Sequence, residues 1–181
     1  QDAAHTGEIG DILARARTDM ENALHSMKVS FRLIGDFLHE EQGDEHKDYV
    51  TWIQTKTYSL SAGATVKDLL EKALNETGLQ ETGADDGYVS SILAPEALGG
   101  YWLSEMDNGA NSGWMYTVNG EHPDQALNDF TLEAGDKVIW HYVDDYTTEA
   151  DAETWLKAAD ISPEEYAKQK LARIVQVIGG G

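Results

Sequence analysis

The sequence contains no cysteine. Disulfide frameworks, thiolate catalysis and cysteine-ligated zinc are therefore excluded. Positive charge is scarce. Thirteen lysines and arginines stand against 33 aspartates and glutamates, giving a formal net charge of -20 and a pI near 4.4. Such a surface repels phosphate backbones and anionic lipid, so neither nucleic acid nor a membrane is an expected partner. No run of eighteen apolar residues exists to span a bilayer. The acidity fits cation binding or a basic partner, and equally the solubility of an exported protein.

Catalytic signatures are missing too. There is no Gly-x-Ser-x-Gly, no glycine-rich phosphate loop and no His-x-x-x-His pair. The six histidines are scattered; His39 and His46 share a hydrophilic stretch, and His141 stands alone in an apolar run. Acid pairs occur throughout so acidic a chain and carry no information. The expectation is a protein that is not an enzyme. With 181 residues, 41% of them hydrophobic, the chain can bury one proper core. It opens on Gln1 and not on Met, which suggests a mature or trimmed polypeptide.

Periodicity divides the chain. Ile9, Ile12, Leu13, Ala16, Met20, Ala23, Leu24 and Met27 recur at helical spacing, predicting a helix over 8–27. Residues 28–34 then alternate polar and apolar as a half-buried strand does. After a hydrophilic loop over 40–48, the β-branched and aromatic run 49–60 predicts a second strand, paired with the first as a hairpin. Thr65 with Asp68 approximates a capping box, and Val66, Leu69, Leu70, Ala73 and Leu74 make one apolar stripe of a helix ending at Gly78. Strands are expected at 88–92, 114–118 and 137–143, with a brief one at 130–132. Ser162-Pro163-Glu164-Glu165 opens a final helix reaching 178, whose apolar face is Ala167, Leu171, Ile174, Val175 and Ile178. Strand, strand, helix and further strands is the order of an α+β protein of β-grasp (ubiquitin-like) type: a mixed sheet with one crossing helix. The chain then divides into an N-terminal helical extension (1–27), the β-grasp domain (28–149) and a C-terminal helical extension (150–181). The two terminal helices are too apolar on one side to stand free in water, and packing against each other or the sheet is expected.

Several residues are candidates for binding. Trp114 and Tyr116 alternate along one strand and share a face. They form either an aromatic platform for a ligand or core under the helix. The connection 93–113 is longer than the fold requires and carries Tyr101-Trp102 among glycines, material suited to a contact surface. Asn119-Gly120 reads as a turn whose side chain could touch a ligand. Asp144, Asp145, Glu149 and Asp151 form an oxygen-rich run that could hold calcium, joined by Asp85 or Asp86, and Asp107-Asn108 is another such loop. The alternative for all of these is a solvated acidic loop.

Four segments carry a family resemblance: Gly63 to Leu70, Gly87 to Ile92, Gly113-Trp114-Met115-Tyr116-Thr117-Val118-Asn119-Gly120, and Thr131 to Tyr142 with its Glu-Ala-Gly-Asp turn. Together they resemble the transcobalamin C-terminal-like domains of cobalamin carriers and many bacterial surface proteins. The resemblance runs from about Val29 to Glu149. It implies a β-grasp fold and a secreted or cell-surface binding or adhesion module, joined to neighbouring domains of a larger protein, with a corrinoid such as cobalamin as the named small ligand. A structural spacer is the other role such a domain could fill. In the carriers the domain closes over a corrinoid held against an α/α barrel that this sequence does not contain. Binding by this chain alone is therefore expected to be no tighter than micromolar, about -8 kcal/mol.

Overall fold

The computed structural model describes residues 12–15, 26–39, 49–148 and 154–179. Two long strands come first, β1 (Ser26–Gly35) and β2 (Val50–Ser61), paired antiparallel. Helix α1 (Val66–Thr77) follows, then three short strands: β3 (Glu81–Thr82), β4 (Ser91–Leu93) and β5 (Trp102–Ser104). The edge strand β6 (Gly113–Val118), β7 (Lys137–Val143) and helix α2 (Pro163–Gly179) complete the order. The larger sheet runs β2-β1-β7-β6, with β7 parallel to β1 and antiparallel to β6. β3, β4 and β5 make a separate antiparallel sheet. The architecture is α+β.

Helix α1 starts where its sequence says. The Thr65 hydroxyl accepts from the Asp68 N–H at 3.3 Å, and the Asp68 carboxylate accepts from the Thr65 N–H at 2.9 Å, so two otherwise orphaned donors are satisfied reciprocally. Gly78 ends it at φ 74°, a left-handed conformation that a side chain would strain. Val66, Leu69, Leu70, Ala73 and Leu74 are all buried, in one core cluster with Val29, Phe31 and Leu33 of β1 and Val138 and Trp140 of β7. Thr65→Ala should lower stability by about 1 kcal/mol without changing the denaturant slope. A loss below a few tenths in urea titration would show that the reciprocal cap is not formed in solution.

The other face of the sheet is covered as well. Ile34, Val143 and Tyr49 are buried there beneath Trp155, from a 3-10 turn at Thr154–Lys157. Arg32 ties this segment down: its guanidinium donates to the Ala158 carbonyl at 2.7 Å and lies 3.6 Å from Asp160. Gly35 is a packing glycine, since a Cβ there would run into the Trp52 ring.

Several expectations need correction. The helix read over 8–27 lies outside the described residues except for 12–15, which are helical, and Ser26-Met27, which begin β1. The strand read at 88–92 is shifted to Ser91–Leu93 because Tyr88 to Ser90 turn back against Thr82 and Gly83. The connection 93–113 is not one loop. It contains β5, whose partner β4 buries Ile92 against the core beside Leu103 of β5. The brief strand at 130–132 is an isolated bridge between Thr65 and Thr131. Helix α2 packs only through its first turns, where Pro163 is buried and Tyr166 meets Phe37 at 6.2 Å between ring centroids. Leu171, Ile174, Val175 and Ile178 are exposed, so the apolar face expected to pack is uncovered among the described residues.

Candidate functional site

β6 ends the larger sheet, and its free edge borders a cleft of about 420 Å³. The Asn119 N–H donates to the Lys137 carbonyl at 2.8 Å. Antiparallel pairing alternates, so Thr117, Met115 and Gly113 also bond to β7, while the N–H and C=O of Trp114 and Tyr116 face outward along the edge. Tyr88 and Val89 line the cleft, as do Pro123, Gln125, Ala126 and Leu127. Trp114, Tyr116 and Trp140 also line it, with Met106, His122 and Tyr146.

The aromatic floor is fixed by packing. Trp114 is buried; its indole N–H donates to the Leu103 carbonyl at 2.9 Å, and its ring meets Trp52 and Tyr142 edge-on, each at 5.3 Å. Tyr116 lies tilted on Trp140 at 5.1 Å, and its hydroxyl donates to the Gln125 carbonyl at 2.6 Å. Burial, with Asp129 nearby, pushes the Tyr116 hydroxyl up to about 12. Burial, with Glu105 beside it, does the same for Tyr88, also to about 12. Both phenols therefore stay protonated donors at neutral pH. At the rim, His122 Nε2 lies 3.0 Å from Nε2 of the fully buried His141, whose ring stacks on Trp155 at 3.8 Å. Desolvation, then the neighbouring His122, drives the His141 pKa well below its ordinary value, so that imidazole is neutral.

The cleft unites two of the five residues singled out as ligand contacts, Trp114 and Tyr116. Tyr101 is elsewhere, half-buried edge-on to Trp52, with its hydroxyl donating to the Asp36 carbonyl at 2.6 Å. Trp102 is 42% exposed on β5, in the other sheet. Asn119 serves its turn: at φ 54° its side chain accepts from the Lys137 N–H and donates to Asp136. Tyr88, Met106, His122 and Tyr146 were not foreseen as neighbours, because each comes from a different loop.

The acidic run is also divided. Asp145 accepts from the Thr147 hydroxyl and N–H, bonds that hold its carboxyl below the ordinary range. Glu149 and Asp151 lie outside the described residues. Asp85 pairs with Lys67 at 2.9 Å, away from Asp144, and Asp86 is exposed. Asp107 accepts from the Ser104 N–H at 2.7 Å. Asp144 instead meets Asp36 and His39, with one carboxylate or imidazole atom from each lying within 4.8 Å of the others.

Residues 63–144 match the family model described as Domain of unknown function (DUF4430). The matched stretch runs from the turn before α1 to the end of β7, and it contains every residue of the cleft named above except Tyr146. No curated protein matches the chain. Among solved structures, haptocorrin in complex with Cbi is similar at TM-score 0.38 and 12% identity, over 65% of this chain and 25% of that one. A candidate metal-binding protein from Ruminococcus gnavus is similar at TM-score 0.35 and 13% identity, over 65% of this chain and 96% of that one. The chain thus spans about a quarter of the haptocorrin chain.

Proposed function

We propose that this protein is a non-catalytic binding module of β-grasp type, acting outside the cell or at its surface, whose ligand enters the cleft beside β6. The cleft itself carries the reading. Its volume falls within the roughly 300–1,000 Å³ of small-ligand sites. Five of its lining residues are aromatic, Tyr88, Trp114, Tyr116, Trp140 and Tyr146, and its polar side chains are the three tyrosine hydroxyls, Glu105, Ser112, His122 and Gln125. An apolar wall with a few oriented donors suits a flat ligand carrying amides or hydroxyls. The order β1-β2-α1 followed by β7 returning parallel to β1 supports the β-grasp reading. Gly113 to Tyr116, the first half of the segment that resembles the cobalamin carriers, line the cleft, which makes a corrinoid the first ligand to try. The cleft is partly open to solvent, so a neighbouring domain would complete the site.

The test is a fluorescence titration with cobalamin and cobinamide, read through the tryptophans. Saturable binding is expected at about micromolar strength or weaker. Tyr88 is 48% exposed, so Tyr88→Ala should leave the fold intact and weaken binding about tenfold. Binding untouched by Tyr88→Ala would place the ligand elsewhere. Nanomolar binding by the chain alone would show that no second domain is needed. No saturable binding by any corrinoid would leave the spacer role as the better reading.

A further inference from the structure

We propose that the open edge of β6 takes up an extended, basic polypeptide segment of a partner, which lies in the cleft as a further antiparallel strand. The inference rests on the reading of this cleft as a binding site and names a second class of occupant for it. The outward N–H and C=O groups of Trp114 and Tyr116 find no partner among the described residues. The open window is bounded at both ends. The Ser112 carbonyl accepts from the Met106 N–H at 3.0 Å, and the Val118 N–H donates to the Glu121 carbonyl at 2.8 Å. A window this short fits one added strand and not a second whole sheet.

Proteins ordinarily cover the edges of their sheets. The opposite edge of this one is covered. There the Thr55 N–H donates to Asp160 Oδ1 at 3.0 Å, the Gln54 side chain donates to the Asp160 carbonyl at 3.3 Å, and Lys56 adds a charge to the strand. β6 holds neither a charged residue nor a proline. The cleft is also lined from both faces of the sheet. Trp114 and Tyr116 belong with the core cluster of α1, whereas Met115 packs with the cluster beneath Trp155, and all three line the cleft. A strand paired here would send alternate side chains to these two faces. Directly opposed residues of an antiparallel pair share a face. The ligand residues bonded to Trp114 and Tyr116 would therefore turn their side chains towards the face of Trp140 and Leu127, which is apolar.

Charge selects the segment. No lysine or arginine occurs between Lys72 and Lys137, the stretch that supplies every residue lining the cleft except Trp140 and Tyr146. Glu105 lines the cleft, and the exposed Asp107 and Asp124 adjoin lining residues in the chain. Such a rim attracts a cationic segment and repels an acidic one.

The experiment uses the full chain and a fluorescein-labelled heptapeptide of alternating lysine and valine, read by anisotropy at low salt. Saturable one-to-one binding is expected at about 100 μM or tighter. The same peptide with glutamate in place of lysine should not bind. N-methylation of the valines, whose N–H groups meet β6, should weaken binding about tenfold or more. N-methylation of the lysines, whose N–H groups point away, should change it less than about twofold. Gln125→Lys, an exposed substitution in the cleft lining, should weaken binding about threefold or more. Equal losses from the two methylations, equal binding of the glutamate peptide, an unaltered affinity in Gln125→Lys, or no saturation by millimolar lysine peptide would each overturn the proposal. Corrinoid binding without peptide binding would sink this inference alone. Peptide binding without corrinoid binding would uphold it and change the ligand class named for the cleft.

Discussion

Trp114→Ala should destabilise the protein by about 3–5 kcal/mol, the range for removing a large buried aromatic. Three contributions combine at this position. The ring is 3% exposed, so nearly all its apolar surface leaves water on folding. It joins Trp52 and Tyr142 in edge contacts that truncation would break on both sides. Its indole N–H satisfies the carbonyl of Leu103, fully buried on the neighbouring sheet. That bond links the two sheets, so its loss should loosen β5 as well as β6. Trp114→Phe separates the contributions. It keeps an aromatic ring, loses the hydrogen bond and should cost about 1–3 kcal/mol. Urea unfolding of both variants at one pH measures the difference. A loss below about 1 kcal/mol for the alanine variant would mean that the ring does not sit between the sheets.

The same residue shows how much of this protein is legible in its sequence. The alternation of Trp114 and Tyr116 is correct, and both do lie on one face. Local signals of that kind work because they depend on one element alone: the cap at Thr65, the stripe of α1 and the turn at Asn119-Gly120. What pattern could not decide was which alternative applies at each residue. Trp114 is core, Tyr116 is core on one side and cleft wall on the other, and only the position of β6 at the sheet edge makes this so. The three-stranded sheet was missed because strands of two or three residues leave no periodicity to read. Asp144 stands out in the sequence for its acidic neighbours, yet its structural neighbours are Asp36 and His39, brought to it by the parallel pairing of β1 with β7. A parallel pair joins residues far apart in sequence, and nothing local announces it. The exposed apolar face of α2 is the converse case. Its helical stripe is real, but a stripe says only that something could cover it.

A second large effect is expected in acid, and it originates at His141. The residue is fully buried, stacked on Trp155, and its pKa lies well below 6.5 because desolvation opposes the charged ring, with His122 adding to the effect. The sign follows from proton counting. Below pH 6.5 the unfolded chain takes up a proton at this imidazole while the folded protein does not. The unfolded state therefore binds more protons, and stability falls as the pH is lowered. The contribution is complete above the unfolded pKa and is lost progressively below it, at about 1.4 kcal/mol per pH unit until the folded pKa is reached. Acidification also titrates carboxylates and relieves repulsion in a chain with net charge -20, so the raw pH profile mixes opposing effects. The informative quantity is the difference between wild type and His141→Gln, measured by urea midpoints from about pH 7.5 to about pH 5. The glutamine variant carries its own fixed cost from lost stacking, but that cost does not change with pH and drops out of the slope. Wild type should lose stability against the variant progressively over the acid half of this range. His122→Gln should retain most of the slope, because burial is the larger cause and the neighbouring imidazole the smaller. Parallel profiles for wild type and His141→Gln would mean that His141 can be protonated in the folded protein, and that the Trp155 segment opens to admit water.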